Sequence, residues 1–285
     1  MRRRYSGIPL YLAAVLVALW VLLPYYWTFT TSISNFVDLS SAVIFPRRPV
    51  LGNYESILLG KAYAPGSEAI TGAQSATITM QMINSLVVAL GVVVITLILV
   101  TPAAYSHSRL DFRGKGYSFM LIFIPRIVPV MVMALPFFIL FLRIHLVNTH
   151  LSLILVHSLI TIPMATWILR DFLDGIPKDY EEAAMVDGAT RFQALRKVLA
   201  PLLSPGLIAV ATFALMTSWG EFFFALTLTE NLTLPPYILS FRTPQKLEYG
   251  ELAASVILAS IPPFALASVL QRYLAKAIVG GGLKQ

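Results

Sequence analysis

Six long apolar stretches, separated by shorter polar ones, divide the chain. An α-helix needs about 20 predominantly apolar residues to cross the hydrocarbon core of a bilayer, and each stretch reaches that length. The pattern therefore predicts an all-α integral membrane protein that forms a single transmembrane domain over residues 1–285. The six transmembrane helices are predicted at residues 8–31, 83–105, 117–142, 149–173, 205–228 and 252–273.

Lysine and arginine residues lie mainly at the ends of these stretches, and they are unevenly divided between the two sides of the membrane. The richer side is expected to be cytoplasmic. Thirteen lie on one side and six on the other, with Arg126 and Arg170 inside spans. Both termini are therefore predicted to be cytoplasmic, and residues 32–82 and 229–251 form the outer loops. The thirteen are Arg2, Arg3, Arg4, Arg109, Arg113, Lys115, Lys178, Arg191, Arg196, Lys197, Arg272, Lys276 and Lys284.

The composition agrees with a membrane protein. Hydrophobic residues make up 57% of the chain and charged residues 12%, whereas roughly a quarter of the residues of a soluble domain are charged. The net charge of +7 does not indicate a nucleic-acid partner, because no soluble face carries a basic patch. The absence of cysteine excludes disulfides and Cys-metal sites.

One polar stretch, residues 174–204, differs from the other connections and is called the polar segment below. Negative charges at Asp179, Glu181 and Glu182 favour a helix N-terminus there. Small residues then recur at helical spacing, and Gly188 is suited to ending the helix in a left-handed conformation.

A second short helix is predicted directly after Gly188. Thr190, with Gln193 three residues later, is typical of a capping box. Phe192, Leu195 and Leu199 share one face of this helix, and a proline follows. The pattern therefore predicts a helix–glycine–helix element over about residues 177–199, either as a docking element or as an amphipathic loop on lipid headgroups.

The spacing within this element is specific. Glu182-Ala183-Ala184 is followed by three residues and Gly188, then by nine residues, the aliphatic Val198, two residues and Pro201. This resembles the EAA signature of permease subunits of binding-protein-dependent ABC importers, with Ala200 in place of the usual Leu. The segments NSLVVAL, SRLDFRGK and SWGEFFFALTLT also resemble this family. The tail from Gln271 resembles that of its MalG-type carbohydrate permeases, with Ala277 and Gln285 where Gly is common.

The resemblance implies a type I ABC importer permease (MetI-like) fold in a prokaryotic inner membrane, with a cytoplasmic coupling helix that docks on an ATPase subunit. The implied partners are a second permease subunit, two ATPase subunits, an extracytoplasmic solute-binding protein, membrane lipid and a sugar or sugar derivative. The tail is implied to reach between the ATPases. The residues implied in coupling are Glu181, Glu182, Ala183, Ala184, Asp187, Gly188, Phe192, Val198 and Pro201.

No G-x-x-x-x-G-K-[ST] phosphate-binding loop occurs in the sequence. We therefore expect no enzymatic activity and no cofactor in this chain itself, and we expect ATP and Mg²⁺ to bind to the partner subunits. His145, His150 and His157 do not indicate a metal site, because no acidic residue lies at ligand spacing from His157.

Ionisable residues inside a membrane are costly unless they face a cavity or a partner. The translocation-path candidates are Asn84, Arg126, Trp219 and Glu221. An ion pair or a contact with the second permease is the alternative role for Arg126 and Glu221. Two other function classes stay open at this point: an ion-coupled carrier that uses Arg126 and Glu221, and an intramembrane enzyme that uses His157 or Glu221. The carrier leaves the EAA-like spacing unexplained.

Overall fold

The structure, a computed structural model, describes residues 7–40, 44–59, 77–230, 233–241 and 248–281. Every regular element in these ranges is helical, which confirms the all-α prediction. The helices are α1 (Gly7–Ser32), α2 (Phe36–Ser40), α3 (Gly52–Leu59), α4 (Ile78–Arg109), α5 (Lys115–Ile127), α6 (Val130–Arg143), α7 (His150–Asp174), α8 (Asp179–Val186), α9 (Arg191–Ala194), the π turn (Leu195–Leu199), α10 (Ala200–Leu202), α11 (Ser204–Trp219), α12 (Phe223–Leu228), α13 (Leu234–Leu239) and α14 (Tyr249–Gly281).

Four of the described helices are long and apolar enough to cross a membrane, and they match four predicted spans. They are Pro9–Ser32 of α1, all of α4 and α7, and Tyr249–Ser268 of α14. Two further pairs, α5 with α6 and Arg191–Leu202 with α11, pass the same test when each bent pair is taken together. By length and composition, the described helices thus provide four candidate spans, or up to six if each bent pair is one span.

The third predicted span, residues 117–142, is not one helix. It breaks into α5 and α6, whose axes meet at 92°. Val128, between them, is extended at φ −82° and ψ 125°, because the ring of Pro129 disfavours the helical conformation for the residue before it. A span predicted from hydropathy alone does not include this break.

The fifth predicted span, residues 205–228, is also broken. Helix α11 ends at Trp219 and α12 begins at Phe223, with Gly220 as the C-cap of α11. The Glu221 side chain accepts hydrogen bonds from the backbone N–H groups of Phe224 (3.1 Å) and Ala225 (3.2 Å). A carboxylate that satisfies free N–H groups at a helix start stabilises that start, so the break is specified locally.

The predicted outer loops contain helical structure: α2, α3 and the start of α4 lie in the first, and α13 and the start of α14 in the second. His107, which falls between the second and third predicted spans, lies in the last turns of α4. Several residues used for the orientation and tail predictions lie outside the described ranges. These are Arg2, Arg3, Arg4, Lys61, Arg242, Lys246, Lys284 and Gln285.

The described residues form two compact units. One comprises those through Met80 together with Tyr237–Ile261. In this unit the Asn53 side-chain amide donates to the carbonyls of Ser32 (2.9 Å) and Ser34 (3.0 Å) at the end of α1. Gly250 lies against the same amide, since a Cβ there would come within 2.5 Å of Asn53 Nδ2. This contact fixes the start of α14 against the end of α1.

The other unit comprises Gln81–Pro236 and the described residues from Pro262. Helices α4, α7 and α11 supply most of its core, which has two apolar clusters. Helices α7 and α11 approach closely at Gly206, where a Cβ would meet the Phe172 side chain at 2.8 Å. Leu199 and Leu203 join the second cluster, so the polar segment is packed onto the helices beside it.

Candidate functional site

The polar segment folds as a helix, a glycine turn and a second helix, which confirms that prediction. Helix α8 carries Asp179, Glu181 and Glu182 in its first turn. Gly188 has φ +88°. Its N–H donates to Met185 O (3.1 Å), and the N–H of Ala189 donates to Ala184 O (3.0 Å). These two bonds form a Schellman motif, which requires a left-handed residue and therefore favours glycine.

The helix after the turn begins with the predicted capping box. The Thr190 hydroxyl accepts from Gln193 N–H (3.3 Å), and the Gln193 side chain accepts from Thr190 N–H (2.8 Å). The chain then continues through α9, the π turn and α10. Helix α8 packs against α9 and the π turn. Both caps are local, so the geometry of the segment is specified by its own sequence.

One side of this element faces outward from the chain. Glu182, Ala183 and Val186 lie on one face of α8, and Val186 is 87% exposed. Phe192, on α9, is 70% exposed. Asp187, Gly188 and Pro201 are exposed as well, whereas Ala184 and Val198 are half-buried. The exposed surface thus combines acidic groups with large apolar side chains.

Glu181 faces the other way and is 6% exposed. The Tyr105 hydroxyl, on α4, donates a hydrogen bond to Glu181 Oε1. Arg109, one turn further along α4, places its Nε 3.6 Å from Glu181 Oε2. The same guanidinium donates through Nη2 to Ile176 O at 2.7 Å. The start of α8 is therefore attached to the end of α4 by buried polar contacts.

Neighbouring polar contacts join the ends of α4, α5 and α7. Ser108 donates to Asp174 Oδ1 at 2.5 Å, and Arg170 Nε lies 3.4 Å from Asp174 Oδ2. The Arg170 guanidinium also stacks over the Phe119 ring, 4.7 Å from its centroid, a favourable cation–π arrangement. The polar segment thus rests on helix ends that are already bonded to one another.

A second polar cluster lies where α7 passes the break between α11 and α12. His157 Nε2 lies 3.1 Å from Glu221 Oε2, and His157 Nδ1 lies 2.9 Å from Ser218 Oγ. His157 is 1% exposed and Glu221 8%. No acidic residue lies at ligand spacing from His157 in the sequence, but Glu221, distant in sequence, is adjacent to it in space.

The other translocation-path candidates lie in different environments. Asn84 is buried, and its Oδ1 lies 3.1 Å from His150 Nε2. Trp219 is buried, and Arg126 is exposed in the last turn of α5. Their role on a path stays a prediction.

The contacts of Tyr105 and Arg109 were not predicted from the sequence. Their spacing of four residues on one helix places both side chains on the same face. This polar pair at the end of an apolar helix was the sequence feature from which a buried polar contact could have been predicted. Their shared partner, Glu181, becomes apparent only when α8 is packed against α4.

Residues 102–280 match the protein family described as "Binding-protein-dependent transport system inner membrane component". The chain is 29% identical, over 98% of its length and 95% of the relative, to the sulfoquinovosyl glycerol transport system permease protein SmoH of Agrobacterium fabrum. It is 30% identical to the trehalose transport system permease protein SugB of Mycobacterium tuberculosis, with 94% of each chain covered.

A solved structure has the same fold. It is the crystal structure of a bacterial ABC transporter involved in the import of the acidic polysaccharide alginate. The TM-score is 0.74 at 22% identity, and the match covers 96% of this chain and 99% of the other. The likeness therefore extends over nearly the whole of both chains.

Proposed function

Because the chain belongs to the family of binding-protein-dependent transport system inner membrane components, we propose that it forms half of the membrane pore of an ATP-driven sugar importer. It is an all-α, multi-pass inner-membrane permease subunit with the type I ABC importer permease (MetI-like) fold. A second permease subunit would complete the pore.

The observation that best supports the proposed mechanism is the two-sided geometry of the polar segment. Its exposed face carries Glu182, Val186 and Phe192, whereas its buried face is attached to α4 through Glu181. A rigid element that is free on one face and bonded on the other can be displaced by a partner at its free face. It can then transmit that displacement to the helix bonded to its other face. The free face would dock on an ATPase subunit.

ATP binding would then drive the transport cycle from outside this chain. Closure of the two ATPase subunits would displace the polar segment and convert the pore from inward- to outward-facing. Such a shift requires that the ATPases contact the two states differently, and a docking element on the permease meets that requirement. ATP and Mg²⁺ would be bound by the ATPase subunits, which would carry out the hydrolysis.

The proposed substrate is a carbohydrate or a carbohydrate derivative. The two relatives described above are named for sulfoquinovosyl glycerol and trehalose. Both compounds are built on sugar rings, although they differ in charge and size. Relatives with such different cargo support a substrate class but no particular sugar.

The proposed orientation follows from the lysine and arginine distribution, with both termini and the polar segment in the cytoplasm. The solute-binding protein would then dock on the opposite face, on residues 32–82 and 229–251.

Purification of the tagged chain from its native membrane, followed by mass spectrometry, tests the whole assembly. We expect an ATPase and a second permease to co-purify. An isolated chain that is active in proteoliposomes without ATP would instead identify an ion-coupled carrier.

The docking face is tested by Glu182→Lys. This change reverses a charge on the exposed face of α8, and we expect co-purified ATPase and ATP-driven uptake to fall about tenfold, a typical effect of a disrupted interface contact. Asp111→Lys is the matched control, because Asp111 is exposed outside the polar segment and undergoes the same change of charge. Equal effects of the two variants, or no effect of Glu182→Lys, would contradict the docking assignment.

A further inference from the structure

The two adjacent glutamates at the start of α8 have opposite environments. Glu181 is buried and Glu182 is exposed. Successive residues of an α-helix differ by about 100° around its axis, so the two carboxylates point in different directions. The resemblance implied both glutamates in coupling to the ATPase, but only Glu182 belongs to the Glu-Ala-Ala element of the signature.

The contacts of Glu181 connect two elements that the proposed mechanism requires to move together. Tyr105 donates to one carboxylate oxygen, and Arg109 lies 3.6 Å from the other. Arg109 also donates to Ile176 O, just before α8. One guanidinium therefore holds both the entry to α8 and its first turn. Tyr105 and Arg109 belong to α4, which runs 32 residues from Ile78 to Arg109.

The other end of the polar segment is attached in a different way. Leu199 and Leu203 pack in an apolar cluster with Ala104, Leu169 and Leu173. Apolar packing has no preferred direction, whereas a charge-assisted hydrogen bond has a defined length and angle. The directional attachments of the segment to α4 are therefore at its start, at Asp174, Ile176 and Glu181, and of these residues only Glu181 belongs to α8.

We propose that the contact among Tyr105, Glu181 and Arg109, called the α4–α8 joint, transmits displacement of the polar segment to α4. Glu181 is thus a positioning residue for transport and does not belong to the ATPase-docking face. This inference rests on the proposed function, because it needs an ATPase that moves the segment. It assigns different roles to two neighbouring side chains of the same type.

The test compares Glu181→Gln with Glu182→Gln in the complete importer reconstituted in proteoliposomes. Each variant keeps the side-chain shape and removes one charge. For Glu181→Gln we expect wild-type amounts of bound ATPase, with sugar transported per ATP hydrolysed reduced about tenfold, since Arg109 loses its partner charge. For Glu182→Gln we expect less bound ATPase and an unchanged ratio of transport to hydrolysis in the complexes that remain.

Tyr105→Phe keeps the ring and the ion pair and removes only the hydroxyl, so it tests the joint if Glu181→Gln does not fold. We expect the transport-to-hydrolysis ratio to fall about fivefold. Because both changes act on one contact, the double variant Tyr105→Phe/Glu181→Gln should lose less than the two single losses combined. A normal ratio in Tyr105→Phe would overturn the proposal.

A distance measurement tests the rigidity of the joint directly. The sequence has no cysteine, so importers assembled with cysteine-free partner subunits carry only the labels introduced here. Spin labels are placed at Asp111→Cys, two residues after the end of α4, and at Asp179→Cys, in the first turn of α8, both of which are exposed positions. We expect one narrow distance distribution, unchanged by ATP in the wild type and broadened in Glu181→Gln. If the distance between the two labels in the wild type changes with ATP, the α4–α8 joint is not rigid and the proposal is wrong.

The failure of the joint and the failure of the proposed function have different signatures. If Glu181→Gln loses bound ATPase as Glu182→Gln does, Glu181 belongs to the docking face and the joint is wrong. If wild-type protein binds no ATPase at all, the proposed function itself is wrong.

Discussion

Gly188→Pro is expected to abolish ATP-driven uptake while leaving the chain inserted in the membrane. Gly188 has φ +88°, whereas the proline ring fixes φ near −65°. The variant also loses the N–H that donates to Met185 O in the Schellman motif. A mismatch of this kind costs about 3 kcal/mol or more. We therefore expect the second helix of the polar segment to leave the turn in another direction, separating Phe192 from the face that carries Glu182.

Two glycine variants provide the controls for this experiment. Gly188→Asn should retain most of the uptake, because asparagine adopts the left-handed conformation more readily than other non-glycine residues. Gly175→Ala should resemble the wild type, since Gly175 has φ −74° and a Cβ there would meet its nearest neighbour at 3.5 Å. Uptake and the amount of chain in the membrane fraction are measured together. Wild-type uptake by Gly188→Pro, with ATPase bound, would show that the turn is not needed for coupling.

Glu221→Ala is expected to cause the largest loss of stability. The Glu221 carboxylate lies 3.1 Å from His157 Nε2 and accepts from the N–H groups of Phe224 and Ala225. Removing one partner from a buried polar pair leaves the other unsatisfied, at a cost of about 3–5 kcal/mol. We expect the temperature at which half of the purified importer loses its fold in detergent to fall by roughly 10 °C.

Two control variants distinguish this effect from a non-specific loss of stability. Ser218→Ala removes a single contact with His157 and should cost about 1 kcal/mol. Glu230→Ala removes an exposed carboxylate and should leave the transition unchanged. If Glu221→Ala unfolds at the wild-type temperature but transports no sugar, Glu221 acts on the translocation path and the structural role is wrong.

The features predicted best from the sequence are those that depend on neighbouring residues. Gly188 and the capping box of Thr190 and Gln193 satisfy helix ends within a few residues, so residue type alone specifies them. The long apolar helices were predicted equally well, because length and hydropathy are properties of one stretch.

The break in the third span was missed because proline by itself does not determine it. Pro102 and Pro163 lie inside unbroken helices, whereas the chain bends at Pro129. In a membrane, neighbouring helices can satisfy the backbone groups that a proline frees. Whether a helix breaks at a proline therefore depends on its packing partners, which one sequence does not reveal.

The same reasoning explains the missed side-chain pairs. Glu221 and His157 are separated in sequence by the whole polar segment and α11, and Glu181 is far in sequence from Tyr105. A helical wheel places each residue on one face of its helix but does not identify which other helix packs against that face. The sequence therefore predicted that these groups matter and could not predict what they contact.

The right-angle bend between α5 and α6 has a consequence for the insertion of the protein into the membrane. The two helices have 13 and 14 residues, about 20 Å each at 1.5 Å per residue, which is shorter than the roughly 30 Å hydrocarbon core. Neither is long enough to be recognised as a span by the insertion machinery, whereas the continuous stretch 115–143 is. The bent form packs on α7 and α12, which are synthesised later. We therefore expect this stretch to enter the bilayer as one span during biogenesis and to bend only after the later helices arrive.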